Sequence, residues 1–409
     1  MNFTERAIEA QTPSIVTAST GYITPGESGK ADTPVYLLTM YKGIGDAVAF
    51  GLSVIDQILQ NDPSAAGKID VLCNRIQAEI FEHDPRVNRL IQASETLFNK
   101  PELTNWSQGV MPDAATRELV DFLRTRRYTA VFPGMIMPGF YSRLGLPIMS
   151  PNWLEMGRHL LALRAQHDVP MHKIARRMVN RYFGNRSPLH SMSDEIPLYL
   201  SAEQIRNAAE VVWDITKRSS VAPERARLLI VATDTTSVVT RPPVDLLATS
   251  LSQALSQCPE LIICILQGYT DPDAAIMLLD TLKPAFDGRV FLMPAEPKPK
   301  LLDIAAFIDQ ADTFVTGDTG LMHLAVTFKK ASEDNATLCY PHNGTHIITL
   351  FGGTNPGLYG YRERTTILGR GRKEQLAFKP GIAKETYNPR DKNLFDHITP
   401  EQLTEAILS

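Results

Sequence analysis

Two carboxylates, one imidazole and a set of glycines stand where a chain turns from strand to helix. Asp46 closes Gly43-Ile-Gly-Asp46, just after the apolar run Pro34–Met40. Asp318 opens Asp318-Thr-Gly-Leu-Met-His323-Leu-Ala325, after the β-prone run Asp312–Thr316. A third turn, Gly352-Gly-Thr-Asn-Pro-Gly357, follows the run Ile347–Phe351. A carboxylate at such a turn can take a proton from a hydroxyl. Asp318 and Thr319 are both strong N-cap types, and the N–H groups at Gly320 and Leu321 begin a helix with no partner before them, an arrangement that suits phosphate. Gly320 has no side chain to hold a ligand away, and His323 lies one turn further in. Thr354 and Asn355 belong to the neighbouring turn. The chemistry these residues could perform is base-assisted attack on one side and stabilisation of a departing diphosphate on the other. Taken singly, each turn is also explained by ordinary helix capping.

The elements that must hold these turns alternate strand and helix through the whole chain. Apolar runs at Pro34–Met40, Lys68–Leu72, Arg86–Ile91 and Ala130–Pro133 read as strands, with Ile148–Ser150 as a further short one. Helices are expected at Ala47–Gln60, Asp113–Arg127, Trp153–Gln166, His172–Tyr182 and Ser201–Arg218. The pattern repeats with strands at Leu228–Ala232, Leu261–Leu266 and Arg289–Met293, and helices at Pro243–Gln257, Pro272–Leu282 and Leu301–Gln310. This predicts an α/β protein of two facing Rossmann-like parallel-sheet domains. The expected division is a flexible extension over 1–33, a first domain over 34–222, a second over 223–393 and a terminal helix in 394–409. Ser219–Arg227 reads as the linker. Thr399 and Pro400 fit the cap and first position of the last helix.

Composition sets the outer limits. The chain has 409 residues, 44% apolar and 21% charged, with net charge −4. That gives no general affinity for nucleic acid. Four cysteines form no Cys-x-x-Cys pair, so buried thiols in a reducing compartment are expected, and no cysteine-built metal site. The first ten residues lack an apolar signal core, and no apolar run nears the ~18 residues of a membrane span. A cytoplasmic location follows as the expectation. Asp271-Pro-Asp273 looks like a metal-binding Asp-x-Asp but is accounted for by an N-cap with proline at the first helical position. His323, His342 and His346 match no helical zinc-ligand spacing. His172–Arg186 is basic throughout, and two readings stay open: a solvated face, or a patch for an anionic acceptor or a membrane surface.

The order and wording of Asp318–Ala325 and Leu350–Gly357, with Gly43–Asp46 upstream, resemble glycosyltransferase family 9, the ADP-heptose:lipopolysaccharide heptosyltransferases. The resemblance implies the two-domain GT-B architecture and metal-independent, inverting transfer of heptose from ADP-heptose to a hydroxyl of a glycan such as lipopolysaccharide core. No cofactor beyond the nucleotide sugar is implied. Asp46 matches the family's catalytic base. Thr235, Thr236, Arg241, Asp318, Thr319, Gly320, Leu321, His323, Thr354 and Asn355 fall on the donor side, with Arg241 near a position where the family carries lysine. Lys42, Gly45, Arg176 and Arg177 fall on the acceptor side. Related transferases fold the final helix back onto the first domain. Lys329–Thr345 is longer than the turn most relatives have there, and its place between the donor turns predicts a lid over the donor. Two other functions fit the same scaffold: transfer from an ADP- or UDP-hexose to a soluble acceptor, and nucleotide-sugar binding without turnover.

Overall fold

The computed structural model describes residues 14–19, 22–23, 35–40, 43–93, 114–133, 169–188, 191–233, 235, 240–268, 271–293, 299–332, 342–354, 356–361, 364–369 and 394–409. The expected strand Ile148–Ser150 and helix Trp153–Gln166 lie outside them, as do Lys42, Thr236 and Asn355.

The first sheet contains β1 (Ser14–Ser19), β2 (Tyr22–Ile23), β3 (Tyr36–Thr39), β4 (Ile69–Cys73), β5 (Val87–Gln92) and β6 (Ala130–Pro133), in the order β2-β1-β5-β4-β3-β6. All pairs are parallel except β1 with β2. The chain leaves β3 in one direction for β4 and β5, then returns to place β6 on the other side. The turn after β3 therefore opens at the point where strand order reverses, the crevice in which such sheets bind ligands. β1 and β2 fall in the stretch expected to be a flexible extension. Their serines and threonines give no apolar alternation, and the strand exists because the edge of β5 supplies its hydrogen bonds.

The helix after β3 is not uniform. Ile44–Asp46 is α-helical, Ala47–Leu52 is π-helical, and Ser53–Asn61 is α-helical again. π-turns of this kind often occur at functional positions. Val48, Leu52 and Ile55 are buried as the periodicity predicts, and Gly51 lets the π-turn press against Met40 and Phe81.

β7 (Pro197–Leu200) precedes the second sheet, which comprises β8 (Arg227–Ala232), β9 (Leu261–Leu266), β10 (Val290–Met293), β11 (Thr313–Gly317), β13 (His346–Phe351) and β14 (Thr365–Gly369); β12 (Phe328–Ala331) stands apart from it. Its order is β10-β9-β8-β11-β13-β14, parallel throughout. The reversal lies between β8 and β11, so the Gly317–Thr319 turn occupies the same structural place as the turn after β3. The continuous Leu/Ile runs of β8 and β9 are buried on both faces, as a central parallel sheet requires. The molecule thus holds two parallel-sheet α/β units, as expected.

The two domains share one hydrophobic core, running from Tyr36 and Leu38 through Ile205 and Phe307 to Phe351 and Tyr361. β7 pairs in parallel with β12, and helix Ala202–Arg218 packs on helix Leu301–Asp309. That helix was expected in the first domain ahead of the linker; here it packs against a helix of the second. Leu301 N–H donates to Glu79 Oε2 at 2.9 Å across the same joint.

The terminal helix Pro400–Leu408 departs from expectation. It packs on helix Val244–Gln257 of the second domain, where Leu403, Ala406 and Ile407 join Leu247 and Leu251, and Thr404 Oγ1 donates to Gln253 Oε1 at 2.9 Å. Its apolar stripe completes the sheet face turned away from the first domain. The ends of the expected lid are described, and its middle lies outside the described residues. Asn343 N–H meets Asp309, Thr345 Oγ1 donates to Ile308 O at 3.2 Å, and Lys329 N–H donates to Asn343 Oδ1 at 2.8 Å. Both ends of Lys329–Thr345 are therefore fixed at the N-terminal edge of β11 and β13. A five-residue strand, about 16 Å, separates that edge from Gly317. Residues 333–341 lie outside the described part.

Candidate functional site

The turn carrying Asp46 is built from two sides. Asn74 and Gln77 form a capping box at the helix Arg75–Phe81, and the Gln77 side-chain amide donates to Gly43 O at 3.0 Å. The Asp46 carboxylate folds back over Gly43, where a β-carbon would lie 2.6 Å from Asp46 Oδ2. Burial raises Asp46 above the usual carboxylate range, opposed by the Gly43 N–H hydrogen bond. A raised value makes the ionised carboxylate a stronger base.

The facing turn comes from β11 of the second domain. Thr319 caps helix Gly320–Ala325, its Oγ1 accepting from Met322 N–H at 3.3 Å. Asp318 is nearly buried, and burial pushes its carboxyl up to about 6, against the hydrogen bond from Thr354. His323 Nε2 lies 3.8 Å from Asp318 Oδ1. Burial, and then the neighbouring His172, push the imidazole down to about 4, so it is neutral near pH 7. Thr354 belongs to the turn after β13, which pairs with β11, so the two glycine-rich turns stand side by side as their order predicts.

The two turns touch. A β-carbon on Gly320 would lie 2.8 Å from Ile44 Cβ, and one on Gly45 would lie 2.6 Å from His323 Cδ2 and 2.8 Å from Nε2. Both glycines are required by close approach across the joint. Gly45, expected on the acceptor side, is the contact between the Asp46 turn and the Asp318 turn. A third loop reaches the same place: Thr240 O would lie 2.2 Å from a β-carbon on Gly317, so residues 240–242 cross the end of β11.

Two expected binding residues are used internally. Arg241 pairs with Asp271, and its Nη2 donates to Thr235 O at 3.2 Å. Thr235 Oγ1 and Thr240 Oγ1 are 2.8 Å apart. These contacts fix the loop and hold Arg241, the expected substitute for the family's lysine, against Asp271. Asp271 also caps helix Pro272–Leu282, as its sequence predicts. Arg176 is wholly buried, donating from Nη1 to Asp56 Oδ2 at 2.6 Å and from Nη2 to Glu195 O at 2.5 Å. It is not an acceptor-side cation, because its charge is already partnered inside the domain. His172 and Lys173 are held by Asp194, each at 2.8 Å. Of the basic helix face, Arg177 is half-buried and Arg181 and Arg186 are exposed.

Sequence reading did not select Tyr361. Its hydroxyl lies 2.7 Å from His323 Nδ1, and its ring stacks on His172. It follows Gly360 in a stretch whose spacing has no helical or strand period, so only contact reveals it. Among the described residues no group of three or more His, Cys, Asp and Glu side chains is arranged to hold a metal ion, and no helix is long and apolar enough to cross a membrane.

The arrangement is similar to known proteins in two respects. Residues 294–387, which hold the Asp318 turn and the turn after β13, match the sequence model of glycosyltransferase family 9 (heptosyltransferase). The fold matches E. coli ADP-heptose lps heptosyltransferase II, at 14% identity, over 91% of this chain and 97% of that one, with a TM-score of 0.58. It also matches a family 9 glycosyl transferase from Veillonella parvula, at 12% identity over 93% and 98%, with a TM-score of 0.63. E. coli heptosyltransferase WaaC, solved with ADP-2-deoxy-2-fluoro heptose, matches at 16% identity over 91% and 98%, with a TM-score of 0.57. These likenesses show the fold. No curated protein matches by sequence.

Proposed function

We propose that this protein is an inverting glycosyltransferase that moves a heptose from ADP-heptose to a hydroxyl of a glycan acceptor. The observation that carries the reading is the contact of Gly43–Asp46 with Gly320–His323, two motifs from different domains that meet at the strand-order reversal of both sheets. Asp46 takes the acceptor proton as the acceptor oxygen bonds to the anomeric carbon. The bond to the diphosphate breaks from the opposite face, which inverts the anomer. The departing charge meets the backbone N–H groups at Gly320 and Leu321 and the neutral side of His323, in a site already low in water. Asp318 and Thr354 form the floor beside them, and no metal takes part. ADP as leaving group is supported by the fold likeness to WaaC, solved with an ADP sugar, and by the family 9 signature over the donor turns.

One observation favours a second acceptor class. The basic helix Met171–Tyr182 spends Lys173 and Arg176 on Asp194 and Asp56. Two of the basic residues of this helix are thus turned to carboxylates of their own chain, so a small soluble acceptor fits as well.

The test is to follow turnover of ADP-heptose, ADP-glucose and UDP-glucose with a panel of glycan and soluble hydroxyl acceptors, and to read the product anomer by NMR. The expected result is turnover of the ADP sugars with inversion. A product that retains the donor anomer contradicts Asp46 as base, and turnover of UDP-glucose alone removes the heptose donor.

A further inference from the structure

His323 is enclosed by side chains from both domains. Its Nδ1 faces the Tyr361 hydroxyl at 2.7 Å. The Tyr361 ring is stacked on His172, with centroids 5.2 Å apart and planes 11° apart, and His172 Nε2 is 2.8 Å from Asp194 Oδ1. On its other side, His323 Nε2 looks toward Gly45 and is 3.8 Å from Asp318 Oδ1, beyond hydrogen-bond reach.

A neutral imidazole has one N–H and one lone pair, and the partner of one nitrogen decides the state of the other. Tyr361 is 5% exposed, and burial raises its phenol far above the usual range, so the hydroxyl keeps its proton. Among the described residues, His323 Nδ1 is the hydrogen-bond partner of that hydroxyl. If Nδ1 carried the proton, the Tyr361 O–H would be a buried donor with no acceptor, which is unfavourable. The satisfied arrangement has Tyr361 donating to Nδ1, with the imidazole proton on Nε2.

We propose that Tyr361 is a positioning residue for sugar transfer: its hydroxyl holds His323 as the Nε2–H tautomer and so presents a neutral N–H donor to a diphosphate oxygen of the nucleotide sugar. This rests on the nucleotide-sugar reading above. The open 3.8 Å between Nε2 and Asp318 leaves that N–H without a protein acceptor in hydrogen-bond reach on the Asp318 side. His172, brought from the first domain, covers the far face of the Tyr361 ring, so the tyrosine is braced by the domain that carries Asp46.

The test uses the full chain labelled with 15N-histidine. Two-bond 15N–1H correlations read the tautomer, and His323→Gln assigns the signal. The wild type is expected to show Nε2–H at His323. Tyr361→Phe keeps the ring stack, and its tautomer is expected to shift toward a mixture. Its kcat/KM for the nucleotide sugar is expected to fall about five- to tenfold, the loss of one hydrogen bond. In a His323→Gln background the same substitution is expected to add nothing. An Nδ1–H tautomer in the wild type overturns the proposal, and so does a phenylalanine variant with unchanged tautomer and rate. An additive loss in the double variant overturns it too, because Tyr361 then acts independently of His323. If the wild type turns over no nucleotide sugar, the transferase reading fails while the tautomer still decides the Tyr361–His323 bond.

Discussion

The turn after β3 and the turn after β11 use nearly the same vocabulary for different ends. Each has glycine, a carboxylate and the first residues of a helix, and each stands where its sheet reverses strand order. The Asp46 turn is partly buried, leads into a π-helical segment and is held by Gln77 from a neighbouring capping box. The Asp318 turn is nearly dry and holds a carboxyl pushed up to about 6 beside an imidazole pushed down to about 4. A proton acceptor needs access to substrate, whereas a cradle for leaving-group charge gains strength from low dielectric. Both carboxylates are raised by burial, and the imidazole beside Asp318 is what sets the second turn apart in the proposed reading.

Substitution at the first turn is the largest way to test that division. Asp46→Asn keeps the shape and removes the base. It is expected to lower kcat by about 10²- to 10⁴-fold and leave ADP affinity unchanged, measured by steady-state kinetics and calorimetry. Loss of ADP binding in this variant would merge the two roles that the geometry keeps apart.

The second turn is probed by pH. The Asp318 carboxyl moves from an ordinary value of 3.8 to about 6 on folding. Its raised folded value means that stability is fully present below about pH 4 and is lost as pH rises through 6. The loss is about 3 kcal/mol at pH 8. Asp318→Asn removes the ionisation, so the variant is expected to exceed wild type by about that amount at pH 8. The difference should vanish near pH 3.5 in denaturant titrations. Equal stabilities at both pH values would show that the turn is not desolvated.

The contact between the turns gives the smallest effect. Gly45→Val places atoms where His323 Cδ2 and Nε2 now lie. Overpacking of this kind is expected to cost about 1–3 kcal/mol and to weaken ADP binding with it. A variant as stable as wild type, with unchanged ADP affinity, would mean that the two turns do not press together in solution.

Much of this was legible in the chain because local chemistry and tertiary role agree. The runs at Leu228–Ala232 and Leu261–Leu266 are too apolar for anything but a buried parallel strand, and they are β8 and β9. Thr319, Asp271 and Thr399 announce helix starts by capping, and each caps. What stayed hidden depends on partners distant in sequence. Arg176 looks like one of several cations until Asp56 meets it from another helix. The stripe Leu403, Ala406 and Ile407 says that the last helix packs, but not against which domain. β1 takes its hydrogen bonds from the edge of β5, which no local pattern in Ser14–Ser19 foretells. Tyr361 has meaning only through His323 and His172.

The central claim is that the joint between the Asp46 and Asp318 turns receives an adenine nucleotide sugar. A thermal-shift titration of the full chain with ADP, UDP and GDP tests it directly. ADP at about a hundred times its dissociation constant is expected to stabilise the fold by about 2.7 kcal/mol, with little response to UDP or GDP. Stabilisation by UDP or GDP in place of ADP would contradict the donor, and silence toward all three would contradict the site itself.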